Sequence, residues 1–342
     1  MRIRGVDNTE AGVWDAYVEA HPEASLYHRY GWRDFFADYF GKETQYLAAF
    51  DQAGVIQGVL PLVRLCSRLF GDFYVSLPFV NYGGVLASDP GVAQALAAEA
   101  AGLARKKGAS HIEYRHAAQH LDLPCRTDKV AMVLELPVSE EALGKSIGAK
   151  RRSQIKRPLR ENPQIRFGGA ELVDDFYAVF ARNMRDLGTP VYAKSMFRYL
   201  AERYPDNTKV VMISVQGRPA AAAFLISNDH RMEVPWASTV REFNRISINM
   251  LLYWEVLKYA IEEGRTVFDF GRSTVDSGTY RFKKQWGAEP LQLHWHYWLA
   301  SGGELPRLTP DNARYRLVIR MWQKMPLAVA NRLGPYLVRN LP

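Results

Sequence analysis

Cysteine is scarce in this 342-residue chain: Cys66 and Cys125 are the only two. Two thiols cannot build a disulfide framework in a protein of this size. Long apolar runs are also missing. The longest, such as 219–226, are short and soon interrupted, far from the roughly 18 to 20 residues that a spanning helix needs. Residues 1–7 lack the apolar core of a signal peptide. These shortages together lead to the expectation of a cytoplasmic protein. Metal ligands are sparse as well. His294 and His296 alternate along one strand pattern, but no Cys or acidic spacing completes a set, and His111, His116 and His120 add none. No Ser-His-Asp or Cys-His arrangement is legible to carry a covalent intermediate, and no tightly bound cofactor is expected.

Acidic residues are outnumbered, 36 against 44 Lys and Arg, leaving a formal charge of +8. Such an excess favours phosphates, nucleic acid or an acidic membrane face. The apolar and charged fractions, 48% and 23%, are those of a globular protein, and the length suits two domains.

The same series of elements is written twice. In the first copy an aromatic helical stretch, 32–39, leads to a strand at 46–50, a turn containing Gly54 and a longer strand at 55–65. In the second, a helix near 196–204 leads to a strand at 210–215, a turn containing Gly217 and a strand at 219–226. Strand, turn with Gly, strand is a hairpin pattern. Each copy continues with a strand (74–77 and 232–236) and a long helix that stops at Gly108 or Gly264, since Gly accepts the left-handed stop cheaply. A short strand follows, 111–114 or 267–270. This order is that of an acetyltransferase-like fold. The expected architecture is α/β (α+β): two tandem acetyltransferase-like (GNAT) domains, each a mixed, mainly antiparallel sheet flanked by helices. The expected boundaries are 1–140 and 164–300 for the domains, 141–163 for a basic linker and 301–342 for a C-terminal helical tail.

Two blocks are specific. One runs Phe268-Asp269-Phe270-Gly271-Arg272-Ser273-Thr274, then Gly278-Thr279-Tyr280-Arg281-Phe282-Lys283-Lys284-Gln285-Trp286-Gly287-Ala288; the other is Ser76-Leu77-Pro78-Phe79-Val80-Asn81-Tyr82-Gly83-Gly84. Both resemble the Fem family of aminoacyl-tRNA-dependent transferases, in particular the branch associated with exosortase (PEP-CTERM) and exopolysaccharide loci. Known Fem enzymes move an amino acid from aminoacyl-tRNA to an amine of a peptidoglycan precursor. The resemblance implies that Phe282 and Lys283 match the family's Phe-Lys pair beside the reacting carbonyl. The carbonyl oxygen gains negative charge when an amine attacks an ester, and a fixed cation stabilises it. Lys283 could equally hold a tRNA phosphate or be a solvated lysine in a loop.

Asp269 and Arg272 flank a strand end, where ligands gather in open α/β sheets. They either bind an anion there or form a structural ion pair. Tyr280 either orients substrate or packs in a loop. Asn81 and Tyr82, with His28 and Trp32, are candidate contacts for a nucleotide- or lipid-linked glycan acceptor. For the donor, the entry to the second long helix, 241–249, has no glycine to let a pyrophosphate approach backbone N–H groups, and Ser247 reads as a plain N-cap. That favours aminoacyl-tRNA over acyl-CoA. In the linker, Arg151, Arg152 and Lys156 belong to a basic cluster. Arg152 and Lys156 share a helical face, with Pro158 ending the helix soon after; the cluster either grips phosphates or is a solvated charge run. In the tail, Arg316, Arg320 and Lys324 form a stripe beside Tyr315, Ile319, Trp322 and Met325. That helix either rests on the inner face of an anionic membrane as a peripheral contact or docks on the body. The functional expectation is an aminoacyltransferase. Its alternatives are an acyl-CoA-dependent N-acyltransferase on an amino sugar and a non-catalytic membrane-surface scaffold.

Overall fold

The computed structural model describes residues 1–68, 70–228, 230–306 and 313–340, the side chains of 313–316 apart. Among these, the chain divides into two compact units: 1–130 with 291–306 and residue 340, and 131–290 with 313–339.

Unit 1 is built on strands β1 (Arg2–Gly5), β2 (Thr44–Phe50), β3 (Ile56–Ser67), β4 (Gly71–Val75), β5 (Leu86–Ala87), β6 (His111–His116) and β7 (Cys125–Arg126), joined by β15 (His294–Leu299). The sheet order is β1-β2-β3-β4-β6-β15-β7, with β5 beside β3. Its helices are α1 (Ala11–Ala20), the single turn α2 (Trp32–Asp34), which runs into a π-helical turn at 35–39, and α3 (Pro90–Lys106). The β2–β3 hairpin forms because Asp51 Oδ1 accepts the N–H groups of Ala53 and Val55, each at 2.9 Å, while Gly54 takes φ +81°. In α3, Asp89 caps the N-terminus by accepting from Gly91 N at 2.7 Å, with Pro90 in the first position. Ala93, Leu96, Ala97, Ala100 and Ala104 recur at helical spacing and are buried on the sheet.

The first helices of unit 2 are α4 (Glu140–Ser146) and α5 (Gly148–Leu159), so most of the expected linker is helical. It continues through α6 (Val173–Leu187), α7 (Lys194–Arg203), α8 (Ile248–Glu262) and α9 (Gly278–Lys284) to the tail helices α10 (Ala313–Gln323) and α11 (Leu327–Val338). Its strands are β8 (Lys129–Glu135), β9 (Gln164–Gly168), β10 (Thr208–Val215), β11 (Arg218–Ser227), β12 (Arg231–Thr239), β13 (Val267–Thr274) and β14 (Glu289–Gln292), in the order β14-β8-β13-β12-β11-β10-β9. β11 is central: residues 220–225 are buried on both faces, and both α6 and α8 contact it. Such two-sided burial explains its unbroken apolar sequence. Phe176, Phe180, Phe197, Phe224 and Trp236 close one side as an aromatic cluster.

Both sheets are mainly antiparallel and hold the parallel pair that the repeated strand-helix-strand order requires. In unit 1 it is β4–β6, with Tyr74 opposite Ile112 and Val75 opposite Glu113. In unit 2 it is β12–β13, with Arg231, Met232 and Glu233 opposite Val267, Phe268 and Asp269. The ladder stops there, although β12 runs on to Thr239 and β13 to Thr274. Each unit thus contains a split between two parallel strands, at their carboxyl ends.

Several sequence expectations change. β15, expected in the second domain, pairs with β6 in the first sheet; there Tyr297 donates its hydroxyl to buried Glu113 at 2.6 Å. α5 buries Ile155 and Pro158 and packs on α8, and it ends one residue after Pro158. Ser247 stands at the N-cap position of α8 but its side chain does not cap the helix. The chain enters α8 from a 3-10 turn at 241–246, which leaves Ser247 left-handed (φ +62°) with no capping hydrogen bond, whereas a capping serine has extended backbone.

Candidate active site

The split in unit 2 carries the most unusual chemistry. Lys283 is not in a loop: it lies in α9, whose first turn is capped by Ser277 Oγ accepting from Tyr280 N at 3.1 Å. That short helix folds back along β13 and buries the lysine. Its Nζ donates to Gly271 O and Arg272 O, each at 3.0 Å, just beyond the last rung shared with β12. Burial pushes its pKa down to about 8, against the pull of Asp269 and Glu233, which favour the charged form. The ammonium is therefore held charged at neutral pH with little to spare.

Asp269 is fully buried. Its carboxylate pairs with Arg231 and accepts from Gly271 N at 2.7 Å, which fixes the left-handed Gly271 (φ +74°) and aims its carbonyl. Arg272 itself is exposed. Phe282 is half-buried, its ring 5.0 Å from Tyr253 and 6.4 Å from Trp286. Tyr280 is half-buried and gives its backbone N–H to the cap. Lys283, Phe282, Tyr280, Asp269 and Arg272 are thus brought into one neighbourhood, with Arg231 and Glu233 added from β12.

Sequence reasoning singled out neither of two further groups here. Ser273 Oγ and Trp286 Nε1 are buried and without a hydrogen-bond partner among the described residues. Both lie inside the signature block, so the only available signal was their place between Arg272 and Gly287. Arg231 and Glu233 sit in an ordinary strand pattern with no motif to mark them.

Unit 1 fills its own split. Ser76 N donates to Glu113 O at 2.8 Å, and Gly83 N and Gly84 N donate to Arg115 O at 3.3 and 2.8 Å. Ser76 Oγ accepts from Arg115 N, and the Arg115 guanidinium reaches Glu113 and Val80 O. Segment 76–84 is a plug, with Leu77 and Phe79 in the left-handed region at φ +61° and +73°, a costly conformation for side chains of that size. Its glycines serve packing: a Cβ on Gly84 would lie 2.2 Å from the His116 ring. Asn81 and Tyr82, in the plug, are buried, as are His28 and Trp32. Both His28 nitrogens are engaged, Nδ1 accepting from Ser25 N at 3.1 Å and Nε2 meeting Gly84 O at 3.1 Å; burial lowers its pKa to about 4. A cleft of about 630 Å³ in this unit, lined in part by Tyr17, His21, Glu23, Gln119 and His120, includes none of these four.

On α5, Arg152 and Lys156 are exposed and Arg151 is half-buried. Arg152 donates to Gly144 O at 2.7 Å. The helix contains no acidic residue, and none of its basic side chains joins an ion pair among the described residues. It packs against α8 and that helix's entry turn, 241–246. Among the described residues no group of His, Cys, Asp and Glu could hold a metal. No helix among them is long and apolar enough to cross a membrane. The side chains of Tyr315 and Arg316 lie outside the described residues.

Residues 149–284 match the family model described as an acetyltransferase (GNAT) domain. No curated protein matches the chain. Among solved structures, FemX superposes with a TM-score of 0.65 at 16% identity, covering 86% of this chain and 97% of that one. The C-terminal domain of a putative lysylphosphatidylglycerol synthetase from Agrobacterium fabrum gives 0.56 at 12% identity, with 86% and 92% covered. A tandem GNAT protein from the clavulanic acid biosynthesis pathway gives 0.53 at 13%, with 89% and 99% covered. At these identities the likeness is one of fold, and the fold of this chain is the tandem acetyltransferase-like one, a mixed, mainly antiparallel sheet flanked by helices in each copy, with a helical tail.

Proposed function

We propose that this protein transfers an acyl group, specifically an amino acid from aminoacyl-tRNA, to an amine of a cell-envelope or exopolysaccharide precursor, with the chemistry in unit 2. The observation that carries this is the tethered ammonium of Lys283. Two of its three N–H groups are engaged by Gly271 O and Arg272 O, so a tetrahedral nitrogen has its third N–H fixed in direction. A donor held in place before reaction stabilises the oxyanion that forms on attack without reorganisation. The acceptor amine attacks the ester carbonyl carbon, the new C–N bond forms, and the ester C–O bond breaks. The amine proton leaves with the departing ribose hydroxyl. Ser273 Oγ, on the same strand as the two carbonyls, and Trp286 Nε1, in the turn after α9, are buried polar groups left without a hydrogen-bond partner among the described residues.

Support for tRNA as donor comes from anion sites that are closed and from a basic face that is open. At α3 the Asp89 carboxylate already occupies the N-terminus. The N–H groups of Gly83 and Gly84 are spent on Arg115 O. The entry to α8 lacks glycine. By contrast, the uncompensated basic face of α5 lies against that entry and suits a phosphate chain. The likeness in fold to FemX and to a putative lysylphosphatidylglycerol synthetase is in keeping with an aminoacyl donor. The second reading, an acyl-CoA-dependent N-acyltransferase, draws on the acetyltransferase domain match and the tandem GNAT neighbour. The test is donor loss: purified protein with labelled aminoacyl-tRNA or labelled acetyl-CoA, and cell-envelope extract as acceptor. Amine-dependent consumption of aminoacyl-tRNA that Lys283→Met abolishes is expected. Consumption of the thioester alone would replace the donor assignment.

A further inference from the structure

We infer that the two tail helices form a docking surface for an anionic lipid bilayer, which goes beyond the transfer reaction and does not depend on it. From residue 313 to the end, the sequence has no Asp or Glu and six Arg or Lys. The helices use one face to hold the body. In α10, Trp322 is buried and Ile319 packs where a Cβ on Gly188, at the end of α6, would lie 2.5 Å from its Cγ2. In α11, Ala330, Gly334 and Val338 recur every fourth residue and face inward; Gly334 is pressed so close that a Cβ would lie 2.7 Å from Val191 N.

Each helix also leaves apolar residues on its outer face. Val329, Leu333 and Tyr336 follow the i, i+4, i+7 rule on α11, and Leu317, Val318 and Met321 share a face of α10. All six are exposed, Tyr336 and Met321 by more than 60%. Beside them lie the exposed cations Arg320 on α10 and Lys324 just past its end, and Arg332 on α11 and Arg339 just past its end, with Arg339 stacked 5.3 Å over Tyr336. An apolar stripe flanked by cations, free of acids and carrying a tyrosine, is the composition that lies in a headgroup layer. A nucleic acid would use the cations but leave six apolar side chains in water. The short helices reach the surface without spanning it, so the membrane contact is peripheral.

Co-sedimentation of the full chain with lipid vesicles tests this. Binding to phosphatidylcholine vesicles containing phosphatidylglycerol, weakened by salt, is expected, with little binding to phosphatidylcholine alone. Changing Val329, Leu333 and Tyr336, which are 43, 44 and 61% exposed, together to Ser removes the outer apolar surface of α11 and lowers vesicle affinity by about tenfold or more, with urea unfolding of the variant reading any loss of fold. Arg332→Gln with Arg339→Gln lowers it about fivefold per charge on anionic vesicles only. Equal binding to neutral vesicles, or full binding by the triple serine variant, overturns the proposal. So does a dimer that the triple variant disperses in the absence of any vesicle binding, or tRNA binding lost through these cations while vesicles fail to bind. Donor turnover in solution is measured separately, so a failed transfer assay leaves the vesicle result standing.

Discussion

Replacing Lys283 with Met separates a catalytic lysine from a structural one. Moving the ammonium from an ordinary 10.5 to about 8 means that at pH 7 the folded protein bears a cost of about 3 kcal/mol for keeping this charge. Met removes that cost, and it also gives up two hydrogen bonds from a charged donor, each contributing about 1.5 kcal/mol. The two effects offset each other, so the variant should unfold within about 1 kcal/mol of the parent. Transfer, by contrast, should fall by about 100- to 1000-fold, the usual loss for one oxyanion donor. The pH dependence supplies an independent sign. Between pH 8 and 10.5 the unfolded chain binds the proton that the folded chain has released, so parent stability rises with pH across that window. The Met variant should lack this rise. Urea unfolding at several pH values, alongside donor consumption, measures both. A variant that loses more than about 3 kcal/mol yet still transfers would show that Lys283 is a brace for β13, and the chemical assignment would fail.

Other outcomes can be checked in the same unfolding experiment. Asp269→Ala strands Arg231 and releases Gly271 N, and should cost about 3–5 kcal/mol, whereas Arg272→Gln on the exposed neighbour should change stability by about 0.5 kcal/mol or less. Gly84→Ala forces a methyl into the His116 ring and the Arg115 carbonyl and should destabilise unit 1 by about 1–3 kcal/mol. Burial holds His116 well below its ordinary value and His296 at about 4. The unfolded chain therefore binds more protons from pH 6.5 down to 4, and stability is lost as pH falls through that window; His296→Gln should make the decline shallower. Arg152→Gln with Lys156→Gln should weaken aminoacyl-tRNA binding and flatten its salt dependence, read by filter binding at several salt concentrations.

The duplication was legible because its punctuation is local. Gly108 and Gly264 both take φ +71° at helix ends, and the hairpins at Gly54 and Gly217 follow from turn chemistry within a few residues. Lys283 was legible through its motif, but its burial was not, because the carbonyls that hold it come from the preceding strand only when α9 folds back. The plug escaped notice for a similar reason. Gly83 and Gly84 stand inside the block at 76–84, and nothing nearby in sequence says that Arg115, some thirty residues on, takes their N–H groups. β15 joined the first sheet through Glu113 and Tyr297, partners separated by most of the chain. Long-range pairing of this kind leaves no periodic signature.

The plugged split in unit 1 has a consequence for the duplication as a whole. The two halves share a plan and have diverged in what they make of it. One has sealed its opening with its own backbone, spending strained Leu77 and Phe79 to do so, and the other has lodged a cation there.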